Sequence, residues 1–201
     1  MKKKKNILAG IIVILMAALF ILAAFVVINK KNGDKLPEST TVSPVDQVLL
    51  RDLKRNYPPT PKEVLRFYSD ITTCFYREDL TEGQLSKLAL KAREVYDSEL
   101  CADKTEEEYL EDLKKDILTF QAMDLVVSGY SLSSSTDVEF FSADGFDFAR
   151  MYANYRLRQG TEYAYINEVF LLRKDENGHW KIYGWDVVEE ESDSEQVMEN
   201  E

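Results

Sequence analysis

Apolar positions fall into three regimes along the chain. From Ile7 to Ile28, 22 residues run without a charge, and Ile, Leu, Val, Ala and Phe dominate. From Thr60 the apolar residues recur at helical spacing, and from Met123 the period changes to two. Each regime predicts a different element.

The first regime predicts a membrane helix. At 1.5 Å rise per residue it spans ~33 Å, enough for a hydrocarbon core of about 30 Å. A cleavable leader has a shorter apolar region of ~7–15 residues followed by small residues. Ala23-Ala24-Phe25 does not supply that site, and no Cys follows for lipidation. Lys2–Lys5 precede the run, which predicts a cytoplasmic N-terminus and a C-terminal domain outside the membrane. Residues 1–29 are therefore expected to be a basic flank and single-pass anchor.

Residues 30–59 read as a linker, with Gly33, Pro37, Pro44 and Pro58-Pro59 as breakers. Within it, Val45–Leu53 reads as a short helix that ends before Tyr57. Three helices then carry start signals. Thr60-Pro61-Lys62-Glu63 combines a capping box with Pro at the first helical position. Val64, Phe67, Tyr68, Ile71, Cys74 and Phe75 form its apolar stripe. Thr81-Glu82-Gly83-Gln84 and Thr105-Glu106-Glu107-Glu108 open the second and third helices.

The alternating regime predicts strands over 123–132, 137–142, 146–158, 162–174 and 179–188. Asp144-Gly145, Gln159-Gly160 and Asn177-Gly178 mark hairpin turns between them. Helices followed by a meander give an α+β fold class: three helices packed on a curved antiparallel sheet, behind an N-terminal transmembrane helix. The domain is expected over 60–188, and 189–201 reads as an acidic disordered tail.

The closing run Phe170-Leu171-Leu172-Arg173-Lys174-Asp175-Glu176-Asn177-Gly178-His179-Trp180-Lys181-Ile182 is similar to the last hairpin of the nuclear transport factor 2-like superfamily, the SnoaL-like or ketosteroid-isomerase-like cone. The opening helix 61–77, with Phe67-Tyr68 and Phe75-Tyr76, resembles that family's first helix. The resemblance implies a cystatin-like cone, a curved sheet wrapped around a pocket. Isomerases, dehydratases and non-enzymes share this fold, so it implies no single activity. A membrane helix ahead of such a domain resembles the layout of cell-envelope assembly components.

A register follows if Gly178 takes the left-handed position of a bulged turn. Lys174 then lies opposite Trp180, Leu172 opposite Ile182, and Glu168 opposite Asp186. One face becomes strongly apolar, with Tyr155, Glu168 and Asp186 as its polar members. Two nearby carboxylates in a low-dielectric cleft split their titrations, which suits isomerase-like proton transfer or small-molecule binding. The competing reading puts both acids at a solvated mouth. A strict two-residue Asn177-Gly178 turn would instead pair Glu168 with Val187 and send Asp186 to the other face.

The opposite face is expected to carry Tyr152, Tyr163, Tyr165, Tyr183 and Trp185, interleaved with Arg150 and Arg156. Tyr, Trp and Arg dominate protein interfaces, so this face is the expected docking surface for a protein partner or a second copy. Ordinary cross-strand pairing accounts for the same residues.

Charge narrows the choice. Residues 1–35 carry seven Lys against one Asp, whereas 36–188 carry 18 basic and 28 acidic residues. The tail adds seven acids and no base. Such a domain is a poor counterion-displacing surface, so nucleic acid is not expected. One His and two Cys give no metal cluster and no paired nucleophile and base. No cofactor is expected. Cys74 and Cys101 are a possible disulfide in an oxidising compartment. The expected function is a non-enzymatic, membrane-anchored binding or assembly domain of the cell envelope.

Overall fold

The computed structural model describes residues 42–188. The expected membrane segment and the acidic tail lie outside them. Among the described residues no helix is long and apolar enough to cross a membrane.

The domain is a mixed α+β fold. Five helices come first: α1 (Pro44–Leu49), α2 (Pro61–Arg77), α3 (Glu82–Arg93), α4 (Ser98–Ala102) and α5 (Glu106–Ala122). The strands β1 (Leu125–Leu132), β2 (Glu139–Ala143), β3 (Phe146–Gln159), β4 (Glu162–Lys174) and β5 (Trp180–Val187) follow. They form one curved antiparallel sheet in the order β1-β3-β4-β5. β2 pairs with the start of β3, and β1 with its end.

The start signals work as the chain predicts. Thr60 accepts from the Glu63 amide, and Pro61 occupies the first turn of α2. Thr81 with Gln84 and Thr105 with Glu108 form reciprocal capping boxes on α3 and α5. All three hairpin turns hold left-handed residues, with Gly160 of the β3–β4 turn at φ 54°. Asp144 and Gly145 have φ of 52° and 83°, a turn whose twist matches its strands. Gly178 has φ 79°, and its amide donates to the Asp175 carbonyl.

The helices cover one sheet face. Val64, Leu65, Phe67, Ile71 and Leu88 from the helices meet Met151, Leu157, Phe170, Leu172 and Ile182 from the sheet, all buried. Each such side chain contributes about 1.5–3 kcal/mol. These residues form one buried cluster between the helices and the sheet.

Two sequence expectations change. Residues 42–59, expected to be linker, are packed. Val45 and Val48 lie three apart on α1, and with Leu53 they are buried in the core. The domain therefore begins by Ser43, which caps α1 through the Asp46 amide. Helix α4 was not expected. Asp97 caps it by accepting from the Glu99 amide, and Asp97-Ser98-Glu99 is a short polar start that the apolar pattern does not reveal.

Candidate functional site

The face of the sheet away from the helices is the aromatic one. Strand alternation sends Tyr152, Arg150 and Arg156 of β3, Tyr163 and Tyr165 of β4, and Tyr183 of β5 to this side. Tyr152, Tyr163 and Tyr165 are 41%, 57% and 62% exposed. The Arg156 guanidinium lies 5.4 Å from the centre of the Tyr163 ring and donates to Ser128 Oγ. Arg150 pairs with Glu139 at 2.9 Å. Tyr183 is less available: its hydroxyl donates to Glu99, and Phe148 packs edge-on against its ring.

Trp185 does not join this face. The β4–β5 register follows the expected pairing at Lys174–Trp180 and Leu172–Ile182. A bulge between Leu171 and Leu172 then shifts it by one. Beyond the bulge Phe170 opposes Trp185, Val169 opposes Asp186, and Glu168 opposes Val187. An extra residue in one strand exchanges the two faces for everything past it. Trp185 thus turns inward, stacking on Phe170 at 5.9 Å and touching Tyr68 and Tyr96.

The same shift separates the two expected pocket carboxylates. Glu168 sits opposite Ala153 on the helix side, whereas Asp186 opposes Val169 on the other face. Asp186 accepts from the Val187 amide. Glu168 lies near Tyr68, Tyr76 and Tyr155, whose charges it influences. Burial, then repulsion from Asp186, pushes its carboxyl up to about 7. Tyr155 is buried, and its hydroxyl shares a 2.8 Å hydrogen bond with Ser69. Burial raises its pKa well above the usual tyrosine value. Its hydroxyl is engaged within the core and Asp186 lies on the other face, so the three residues do not line one open proton-transfer site.

Cys74 and Cys101 are both free thiols. Cys74 is buried on α2, whereas Cys101 on α4 donates weakly to the Arg93 carbonyl. Burial pushes Cys74 up to about 11. Among the described residues no three His, Cys, Asp or Glu side chains are grouped to hold a metal.

The sequence reading missed the residues that extend the aromatic surface. Every residue of β2 is exposed. Phe141 stacks on Phe148 at 5.5 Å on the aromatic face, whereas Phe140, 62% exposed, opposes Ala149 on the helix side and meets Trp180. Phe146 is also exposed. Two adjacent phenylalanines in a short strand put one ring on each face, and that pair is the sequence signal for them. Among the described residues β2 pairs with β3 alone, which leaves its other edge unpaired there. The β5 edge differs, because Val95 and Asp97 exchange backbone hydrogen bonds with Ile182 and cover it.

The family described as Domain of unknown function (DUF6715) matches residues 1–185. No curated protein matches the chain.

Proposed function

We propose that this chain, which belongs to the DUF6715 family, is a membrane-anchored docking domain without enzymatic activity. One observation carries the reading. The sheet face turned away from the helices presents Tyr163 and Tyr165 to solvent at one end and Tyr152 nearer the other, where Phe141 of the strand β2 joins the same face. Contiguous exposed aromatic surface flanked by Arg marks association sites. An unpaired strand edge adds backbone donors and acceptors that another chain can use.

The apolar run 7–28 supports a single-pass anchor with the N-terminus in the cytoplasm. The domain then works outside the cell membrane, close to its surface. Helices covering one side of a curved meander support a nuclear transport factor 2-like cone. One buried cluster packs between the helices and the sheet, which favours docking over turnover of a small molecule.

The test is site-specific photocrosslinking in cells with benzoylphenylalanine at Tyr165. Leu118, exposed on α5, is the control position. A discrete adduct from Tyr165 alone, lost in Tyr163→Ala, is the expected result. No adduct, or equal adducts from both positions, rejects the reading. An adduct of twice the chain mass identifies a second copy as the partner.

A further inference from the structure

On the other flank of α2 from Glu168, a cleft of about 490 Å³ opens between α1, α2 and the β1 edge. That volume lies within the ~300–1,000 Å³ range of small-molecule sites. Residues at successive turns of α2 build one wall: Phe67, Asp70, Cys74 and Arg77. Val48 and Arg51, from α1 and the residues after it, form the second wall, and Gly129 and Tyr130 form the third.

The cleft differs from the domain around it in charge. The domain is acidic, with 18 bases against 28 acids over residues 36–188. Two guanidiniums and one carboxylate line the cleft. The carboxylate is already engaged, because the Tyr130 hydroxyl donates to Asp70. Arg51 lies 4.8 Å from the centre of the Phe67 ring and makes no ion pair among the described residues. Its guanidinium is held over an aromatic wall, feels the charge of Asp70, and takes part in no side-chain hydrogen bond among the described residues. Arg77 reaches only its neighbour Glu78, at 3.1 Å on the rim.

We infer that this cleft binds a small organic oxyanion, a carboxylate- or phosphate-headed molecule with a short apolar body. Arg51 is the principal contact and Arg77 the second. A planar guanidinium pairs with either head through two parallel hydrogen bonds. Phe67, Val48 and Cys74 offer the apolar body a surface. This site is independent of the aromatic face, and either can fail without the other.

Titration of the full chain in zwitterionic detergent tests the assignment. The probes are hexyl phosphate, hexanoate, inorganic phosphate and hexylamine, and the readout is the amide NMR signals of Thr73 and Gly129. Hexyl phosphate and hexanoate are expected to shift both signals saturably. Arg51→Gln is expected to weaken them about tenfold, with partial recovery in Arg51→Lys. Arg77→Gln serves as the second variant if Arg51→Gln lowers the unfolding temperature. Hexylamine binding as tightly as hexyl phosphate, or unchanged affinity in both Arg variants, overturns the proposal. Inorganic phosphate binding as tightly as hexyl phosphate overturns the apolar half of it. Phosphatidylglycerol vesicles that shift the same two signals assign the head to a lipid, and vesicles without effect assign it to a soluble molecule.

Discussion

Arg173 and Asp97 are joined in a bidentate ion pair. Arg173 Nε donates to one carboxylate oxygen at 2.9 Å, and Nη2 donates to the other. Both side chains are buried. The guanidinium is also stacked between Phe146 at 4.6 Å and Tyr183 at 4.7 Å, and its third nitrogen reaches Glu99 at 2.7 Å. One arginine therefore fastens the start of α4, the β2–β3 hairpin and β5 to each other.

Removing one partner leaves the other charge buried and unpaired. Asp97→Ala is expected to lower stability by about 3–5 kcal/mol in urea unfolding. Arg173→Lys keeps the charge but loses the fork and the stacking, so it too is expected to destabilise. A loss within about 0.5 kcal/mol in either variant would show that the pair contributes little.

That pair also shows which features the sequence could not disclose. Helix starts and hairpin turns are local, so Thr81 with Gln84 and Gly178 could be read directly. The faces of β3 and β4 were legible from alternation, but not their register, because a turn at Gln159-Gly160 and the observed one at Gly160-Thr161 give the same faces two residues apart. The bulge beside Leu172 has no such mark. It turns Trp185 inward onto Phe170, Tyr68 and Tyr96, contacts that no local sequence signal announces. Asp97 and Arg173 are 76 positions apart, and each alone reads as a surface charge. The aromatic face was foreseen in kind but not in extent: Trp185 left it, Phe141 and Phe146 extended it, and Phe140 lies on the opposite, helix side.

The bulge makes opposite predictions for two aromatic residues that simple alternation treats alike. Tyr165 is exposed on the outer face, so Tyr165→Ala should leave stability within about 0.5 kcal/mol. Trp185 packs against Tyr68, Tyr96 and Phe170, so Trp185→Ala should cost about 2–3 kcal/mol. Urea unfolding of both variants checks this. Equal effects would place both side chains on one face and remove the bulge.

The two thiols should stay separate under oxidising conditions. Iodoacetamide is expected to label Cys101 before Cys74 in the folded chain, because Cys74 is buried and pushed up to about 11. Unfolding in urea should equalise the rates. A faster-migrating species on non-reducing gels that reductant removes would instead show an intramolecular disulfide.

Glu168 makes stability depend on pH. Its folded-state carboxyl titrates at about 7, whereas an unfolded Glu titrates near ~4.3. Between these values the native state holds a proton that the unfolded state has lost, so stability falls as pH rises. The cost of ionised Glu168 is fully present above about 7 and is relieved on acidification towards ~4.3. A tenfold change in proton affinity corresponds to ~1.4 kcal/mol, so the full effect is on the order of a few kcal/mol. Asp186, the second cause of the raised value, approaches from the other face and is expected to contribute less than burial does. Glu168→Gln should therefore stabilise the domain most in alkaline buffer and little in acid, flattening the profile. Urea midpoints across this range decide it: a wild-type profile that rises with pH over the same interval would show that Glu168 is solvated or paired with a cation.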